Sequence, residues 1–227
     1  MSAPASDRVL LITGASSGIG AATARAAVAD GWKVALAARS TDKLSALVDE
    51  LGAERAMALA CDVTNEAQVA RMVQAAADFG PLAAVFANAG LGSTRAGVED
   101  GDLDNWRTML DVNIWGLLTV VHHALPHLRE TRGHVILTGS NAGRRPIKGS
   151  IYGATKWFVN GFSQNLSAEM TEWGGRCTLL TPGMVDTPFF ESPKPDALRA
   201  EDVARAVAFA LAQPSHVNMD EMRVTPV

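Results

Sequence analysis

Short apolar runs alternate with longer amphipathic stretches along nearly the whole chain. The runs are rich in Val, Leu, Ile and Ala without polar alternation, which is typical of parallel strands buried on both faces. They predict strands at 9–13, 33–38, 56–60, 82–87, 134–138, 176–181 and 221–225. The stretches between them predict helices from the first glycine loop to about 29, then at 42–51, 65–79, 151–170 and 201–211, and one or two helices over 103–128.

This alternation predicts an α/β fold, a Rossmann-type doubly wound parallel sheet of about seven strands with helices on both faces. No repeat, low-complexity tract or linker interrupts it, so we expect a single domain over residues 1–227. In such sheets ligands bind beyond the carboxyl ends of the strands. Glycines and polar residues gather at those ends: the loop after Thr13, Arg39, Asp62, Asn88, Ser140 and Pro182-Gly183.

Composition narrows the functional classes. A hydrophobic content of 48% and a charged content of 19% indicate a folded globular chain. The net charge of −4 argues against nucleic acid or an anionic membrane as the main partner. The first residues lack the apolar segment of a signal peptide, and no run approaches a membrane span, so we expect a cytoplasmic protein. Cys61 and Cys177 each adjoin an apolar run and are interpreted as small buried residues rather than a disulfide.

The first strand leads into a glycine loop, Gly14-Ala-Ser-Ser-Gly18-Ile-Gly20, and then into an alanine-rich helix. Glycines let the backbone turn tightly and approach a ligand closely. The helix start offers N–H groups and a positive dipole end to a pyrophosphate. Strand, loop and helix together favour a dinucleotide site.

The only tyrosine of the chain, Tyr152, lies four residues before Lys156 on a predicted helix. Positions i and i+4 share a face, so the ammonium is expected to lie beside the phenol and lower its pKa. Tyr152 would then serve as an acid or base near neutral pH. Ser140 ends a strand twelve residues upstream and could present its hydroxyl to the same reacting oxygen. Taken alone, the Y-x-x-x-K pattern is typical of any tyrosine and lysine on a helix, and only the rest of the chain gives it a catalytic meaning.

With these residues assembled, the chain from about Arg8 to Val227 resembles the short-chain dehydrogenase/reductase family. No single motif is specific, but their order and intervals are. The motifs are T-G-A-S-S-G-I-G from Thr13, C-D-V from Cys61, N-A-G from Asn88, D-V-N from Asp111, G-S-N-A-G from Gly139, Y-G-A-T-K from Tyr152 and P-G-M-V-D-T from Pro182.

The resemblance implies hydride transfer between a nicotinamide cofactor and a small carbonyl compound or its alcohol. Tyr152 would be the general acid/base, Lys156 would lower its pKa and hold the nicotinamide ribose, and Ser140 would polarise the carbonyl. Asn113, an amide without an obvious packing use, would hold a water that links Lys156 to solvent. The residues implied to bind the cofactor are Gly14, Ser16, Ser17, Gly18, Ile19, Gly20, Arg39, Ser40, Asp62, Val63, Asn88, Ala89, Gly90, Tyr152, Lys156, Pro182, Gly183, Val185 and Thr187.

The end of the second strand indicates NADP(H) rather than NAD(H). A carboxylate there would bind the ribose of NAD and repel a 2′-phosphate, but the residue is Ala38. The next residue, Arg39, can meet a phosphate bidentately, with Ser16 and Ser40 as further donors. Against this, Ser17 stands where many NADP-preferring relatives carry a basic residue. Arg39 could instead stack on the adenine of either cofactor.

The substrate side departs from the family's pattern. The interval from Ser140 to Tyr152 is one residue shorter than is common, which makes Ser150 a competitor for the catalytic hydroxyl or a pocket residue. Residues 189–199 are short where many relatives carry a helical lid. Candidate substrate contacts are Arg144, as a clamp for a carboxylate, together with Ser150, Phe189 and Phe190. Arg144 could equally be solvated beside Arg145. The tail resembles that of reductases acting on 3-hydroxy acids and related small carbonyls.

Other functions on this fold remain open: a non-catalytic dinucleotide sensor, or an epimerase that uses a bound nicotinamide internally. We expect a homo-oligomer, a tetramer or a dimer, because the helices at 103–128 and 151–170 have more apolar surface than one sheet contact needs. Trp115 and Trp157 are interpreted as core or subunit contacts. His122, His123 and His127 lack the spacing of metal ligands, so no metal is expected.

Overall fold

The computed structural model describes residues 7–227, and its centre is a seven-stranded sheet in which every neighbouring pair of strands is parallel. The predicted fold class is confirmed. The strands are β1 Val9–Thr13, β2 Lys33–Ala38, β3 Ala56–Ala60, β4 Leu82–Ala87, β5 His134–Thr138, β6 Arg176–Pro182 and β9 Glu221–Val224, and a separate short pair is formed by β7 Val185–Asp186 and β8 Leu198–Arg199. The sheet order is β3-β2-β1-β4-β5-β6-β9.

In the described range 7–227, seven α-helices connect the strands: α1 Gly18–Ala29, α2 Thr41–Leu51, α3 Glu66–Phe79, α4 Leu103–Leu110, α5 Leu117–Thr131, α6 Ile151–Thr171 and α7 Ala200–Ala212. A π-helical segment, Asp111–Gly116, joins α4 to α5, so the stretch predicted to form one or two helices over 103–128 consists of three segments. A 3₁₀ turn, Asn141–Gly143, follows β5. The β7–β8 pair was not predicted, since two-residue strands leave no periodic pattern.

Each face of the sheet carries its own apolar layer. Val9 and Leu11 of β1 point into the layer that contains side chains of α3, α5 and α6. Leu10 and Ile12 point into the other, which contains side chains of α1, α2 and α7. A strand buried on both faces needs apolar residues at every position, which explains the continuous runs in the sequence.

The two cysteines lie within the first layer, and both are buried thiols as expected. Burial raises the pKa of Cys61 to about 11 and that of Cys177 to about 12. Both side chains are therefore protonated at neutral pH and act as small apolar groups. Within residues 7–227, no helix combines the length and apolar character that crossing a bilayer requires.

The strand order reverses between β1 and β4. Chain order runs outward through β2 and β3 on one side and through β5, β6 and β9 on the other. The loops that leave β1 and β4 therefore diverge and open a crevice at the carboxyl edge of the sheet, which is where dinucleotides bind in doubly wound folds.

Candidate active site

The loops after β1 and β4 are tied together beneath the crevice. The Thr13 hydroxyl accepts the backbone N–H groups of Asn88 and Ala89 at 3.0 and 3.1 Å. The Asn88 amide donates to the Thr13 carbonyl at 3.1 Å. A Cβ on Gly14, whose φ is +66°, would lie 3.0 Å from the Ala89 Cα. Asn88 thus braces the glycine loop. Thr13 was not singled out in the sequence, although it directly precedes that loop.

The glycine loop fits a pyrophosphate. A Cβ on Gly20 would lie 2.3 Å from the Gly14 carbonyl oxygen, so only glycine lets α1 start this close to the loop. Ser17 precedes α1 as its N-cap residue but makes no side-chain cap hydrogen bond. The first N–H groups of α1 therefore have no capping side chain, which suits an anionic ligand. A Cβ on Gly18 would touch Thr187 at 3.1 Å, so the segment after β6 reaches the loop.

The ends of β2 and β3 offer the residues expected around the adenosine. Arg39 and Ser40 are exposed, and Arg39 has neither a hydrogen bond nor an ion pair with any residue from 7 to 227. The Asp62 carboxylate accepts the N–H and hydroxyl of Thr64 at 3.0 and 2.8 Å, which fixes the turn after β3. The Val63 side chain is buried in the core, where it would meet any Cβ added at Gly116.

Residues 182–187 cross the carboxyl edge and return toward α1. The Gly183 N–H donates to the Val224 carbonyl at 2.7 Å, and Val185 is buried. The β7–β8 pairing and a hydrogen bond from the Lys194 N–H to Asp186 at 3.0 Å then anchor the short segment that follows. Pro182, Gly183, Val185 and Thr187 therefore border the same crevice as the glycine loop.

Tyr152, Ser140 and Lys156 meet at this edge. Tyr152 lies in the first turn of α6, and its phenol is hydrogen-bonded to the Ser140 hydroxyl. The Lys156 ammonium lies 5.7 Å from the centroid of the Tyr152 ring and donates to the Thr138 carbonyl at 2.7 Å. Only 5% of Lys156 is exposed.

The expectation that Lys156 lowers the pKa of Tyr152 is wrong for this structure. Burial raises the pKa of the phenol above its ordinary value, and the hydrogen bond from Ser140 opposes that rise. Burial also lowers the pKa of Lys156 to about 8, because the ammonium loses its hydration. Tyr152 is consequently a neutral phenol at pH 7, which is the form that can donate a proton.

Asn113 has the packing role that the sequence did not suggest. It lies in the π-helical segment, and 1% of it is exposed. Its amide accepts the Leu91 N–H and donates to the Leu91 carbonyl, both at 2.9 Å, and also donates to the Thr155 hydroxyl at 3.2 Å. A Cβ on Gly90 would lie 3.2 Å from Asn113 Oδ1 and 3.8 Å from Lys156 Nζ. Asn113 thus connects the loop after β4 to α6 beside Lys156. Such π segments are frequent at functional sites.

The two candidate serines have different roles. Ser150 precedes α6, and its hydroxyl accepts the Gly153 N–H at 2.9 Å as a helix N-cap. Ser140 is the hydroxyl that contacts Tyr152. The Phe189 ring lies 5.7 Å from the Tyr152 ring, centroid to centroid, and Phe190 packs edge-on against Phe189 at 5.2 Å. Phe189 therefore packs against the Tyr152 ring.

Arg144 is partly buried, and its guanidinium is already engaged. It pairs with Glu221 at the start of β9, and both side chains are about a third exposed. The expected carboxylate clamp would have to break this pair. Trp115 and Trp157 are 50% and 48% exposed, so the core alternative for them is wrong.

The three histidines of α5 do not gather around a metal position. His122 is exposed, while His123 and His127 are partly buried. Over the described range 7–227, no three His, Cys, Asp or Glu side chains cluster in a way that could hold a metal ion.

The chain belongs to the short-chain dehydrogenase family, whose model matches residues 8–197. An uncharacterized oxidoreductase of Staphylococcus epidermidis is 37% identical over 97% of this chain and 98% of its own. The crystal structure of serine dehydrogenase from Escherichia coli superposes with a TM-score of 0.87 at 33% identity, covering 96% and 97% of the two chains. An alcohol dehydrogenase from the archaeon Thermococcus sibiricus, complexed with 5-hydroxy-NADP, superposes with a TM-score of 0.88 at 32% identity over 97% of each chain. The protein is therefore an oxidoreductase of this family.

Proposed function

We propose that the protein interconverts a small carbonyl compound and its alcohol by hydride transfer with NADP(H), using Tyr152 as the general acid/base. One observation carries the proposal. A neutral Tyr152 phenol, hydrogen-bonded to Ser140 and 5.7 Å from the Lys156 ammonium, lies at the same sheet edge as a glycine loop that fits a pyrophosphate. A dinucleotide-binding protein without redox chemistry has no need of this arrangement.

In the direction of reduction, Tyr152 donates its proton to the carbonyl oxygen of the substrate. Ser140 donates a hydrogen bond to the same oxygen and stabilises the negative charge that develops on it. Lys156, buried and held by the Thr138 carbonyl, keeps its charge close to the phenol as the proton leaves. A nicotinamide bound at this edge would supply the hydride. In oxidation Tyr152 accepts the proton of the alcohol. Asn113, whose backbone lies in the π segment, would hold a water that links Lys156 to solvent.

The choice of NADP(H) rests on the end of β2. Ala38 presents no carboxylate to repel a 2′-phosphate, and the exposed Arg39 has no partner among residues 7–227. A guanidinium in this state can bind a phosphate without first breaking an ion pair. The 5-hydroxy-NADP complex of the archaeal alcohol dehydrogenase supports the same choice. Ser16 and Ser40 would add hydroxyl donors.

For the substrate we propose a small 3-hydroxy acid or the corresponding carbonyl compound. The support is the similarity to serine dehydrogenase, whose named substrate is a 3-hydroxy acid, and the contact of Phe189 with the Tyr152 ring, which places an apolar side chain beside the phenol. Phe189 is nevertheless 43% exposed, so this side of the site is reachable from solvent.

We further propose a homo-oligomer, either a tetramer or a dimer. Large apolar side chains are exposed on the surface formed by α4, the π segment and α6: Leu103, Leu110, Trp115, Trp157 and Phe158. Aromatic side chains of this kind are enriched in subunit interfaces and scarce on other surfaces. A second copy of the chain would cover them.

The proposed reaction is tested with a defined substrate panel. L-serine and 3-hydroxybutyrate are assayed with NADP⁺, and acetoacetate and small aldehydes with NADPH, by following cofactor absorbance. We expect turnover of at least one compound, faster with the NADP pair than with the NAD pair. Ser140→Ala should lower kcat about a hundredfold or more, since it removes a donor to the developing oxyanion. An epimerase would show no net cofactor conversion, and a sensor would bind NADPH without turnover, so either result would contradict the proposal.

A further inference from the structure

Ser140 is continuous with a tight turn that determines where its hydroxyl points. Its backbone is extended as the chain leaves β5, and the 3₁₀ turn Asn141–Gly143 follows at once. The Ser140 hydroxyl accepts the Ala142 N–H at 3.1 Å, and the Ser140 carbonyl accepts the Gly143 N–H at 2.9 Å. Any movement of this turn therefore moves the hydroxyl that contacts Tyr152.

One side of the turn rests on α6. A Cβ added to Gly143 would lie 2.5 Å from the carbonyl oxygen of Lys156, so the glycine backbone is in direct contact with the backbone of the helix. This contact sets the separation between the turn and the Tyr152–Lys156 helix. A contact on one side alone leaves the turn able to pivot away from α6.

The other side of the turn is fixed by side chains of the edge strand β9. Arg223 donates to the Asn141 side-chain oxygen at 3.0 Å, and Arg144 donates to Glu221. The second oxygen of Glu221 accepts the Thr181 hydroxyl of β6 at 3.1 Å. Both flanks of the turn, Asn141 and Arg144, are thus tied to a strand about eighty residues later in the chain.

We propose that Glu221 is a positioning residue for the proposed reaction: through Arg144 and Thr181 it holds the turn that keeps Ser140 on the reacting oxygen. The inference rests on the proposed function, because it requires the Ser140 hydroxyl to act in catalysis. A partly exposed ion pair contributes little to the stability of a protein. A misplacement of a reacting group by about 1 Å can cost roughly a hundredfold in rate. Loss of Glu221 is therefore expected to lower kcat far more than it lowers stability.

A matched control exists in this chain. Glu50 pairs with Arg25 through two hydrogen bonds of 2.6 and 2.7 Å between α2 and α1, and both side chains are about half exposed. Glu50→Ala removes an ion pair of the same chemistry that does not contact the Ser140 turn. Comparing it with Glu221→Ala separates positioning from the general cost of losing an ion pair.

The experiment measures kcat with the best substrate of the panel at saturating cofactor, the KM for that cofactor, and amide hydrogen exchange of residues 140–144. For Glu221→Ala we expect a loss in kcat of about tenfold or more, a cofactor KM within about threefold of wild type, and faster exchange of the turn amides. Glu221→Gln should recover much of kcat, because its amide oxygen still accepts a hydrogen bond. Glu50→Ala should leave kcat and the exchange of this turn unchanged.

Epistasis with Ser140 completes the test. In a Ser140→Ala background, Glu221→Ala should cause no further loss of kcat, because both changes remove the same interaction. Equal losses in the two backgrounds, or unchanged kcat and unchanged exchange in Glu221→Ala, would overturn the inference while leaving the proposed function intact. If Ser140→Ala itself keeps wild-type turnover, the proposed catalytic role of Ser140 fails, and this inference fails with it.

Discussion

His134 makes the stability of the protein depend on pH in a way that can be calculated. The residue begins β5 and is 1% exposed, and its Nε2 lies 2.8 Å from the Thr178 hydroxyl. Its Nδ1 is buried with no hydrogen-bond partner among the described residues. Burial, followed by the nearby positive Arg176, lowers the pKa of the imidazole to about 3 from its ordinary value of roughly 6.5.

Between these two pKa values the unfolded chain binds a proton at His134 and the folded chain does not. The stability that the neutral ring contributes is therefore complete above pH 6.5 and is lost as pH falls toward 3. Each pKa unit corresponds to roughly 1.4 kcal/mol, so titration of His134 lowers the free energy of unfolding by about 2 kcal/mol between pH 7 and pH 5. The native state itself keeps His134 neutral across this range.

The assay is urea unfolding of wild type and His134→Gln at pH 7 and pH 5, without cofactor and at one protein concentration. Other titrating groups affect both proteins alike. The free energy of unfolding of the variant should therefore fall by about 2 kcal/mol less than that of wild type between pH 7 and pH 5. His216→Gln, at an exposed histidine, should retain the wild-type dependence. Equal losses in wild type and His134→Gln would refute the reasoning.

Three further outcomes are expected. Ser150→Ala should lower the free energy of unfolding, measured by thermal denaturation, by about 1 kcal/mol, because it removes the cap of α6, while kcat stays within about threefold of wild type. A hundredfold loss of kcat would show that Ser150 is the catalytic hydroxyl. Ala38→Asp combined with Arg39→Ala should shift the ratio of kcat/KM for NADH to that for NADPH toward NADH by roughly tenfold or more, because a charge-assisted hydrogen bond contributes about 1.5–3 kcal/mol. A wild-type protein that used NADH as efficiently as NADPH would contradict this. Trp115→Ser with Trp157→Ser should lower the mass measured by light scattering, and a wild-type monomer at micromolar concentration would rule out the proposed oligomer.

Much of the fold could be predicted because the buried strands and the glycine loop are local signals. β1 through β5 begin and end where the apolar runs do, and α1 follows its loop directly. The last two strands of the sheet differ by one residue at the carboxyl end, at Pro182 and Val224. The carboxyl ends of these strands depend on hydrogen bonding to a neighbouring strand, which an apolar run in the sequence does not indicate.

The finer features of the site depend on residues far apart in the chain. In the π segment the Asn113 amide bridges Leu91 and Thr155, and neither partner can be identified from helical periodicity. The pairing of Arg144 with Glu221 spans 77 residues, so sequence could only suggest a solvated arginine or a substrate clamp. The prediction of a lowered pKa for Tyr152 is wrong because the spacing along a helix indicates the nearby lysine but not the burial of the phenol.

The most direct test of the central claim is the turnover of Tyr152→Phe. This substitution keeps the ring and its contact with Phe189 while it removes the proton donor that Ser140 contacts. We expect kcat with NADPH and the best substrate of the panel to fall by about a hundredfold or more, the usual scale for a general acid, with NADPH affinity within a few-fold of wild type. A Tyr152→Phe protein that retained most of the wild-type turnover would contradict the assignment of Tyr152 as the catalytic acid.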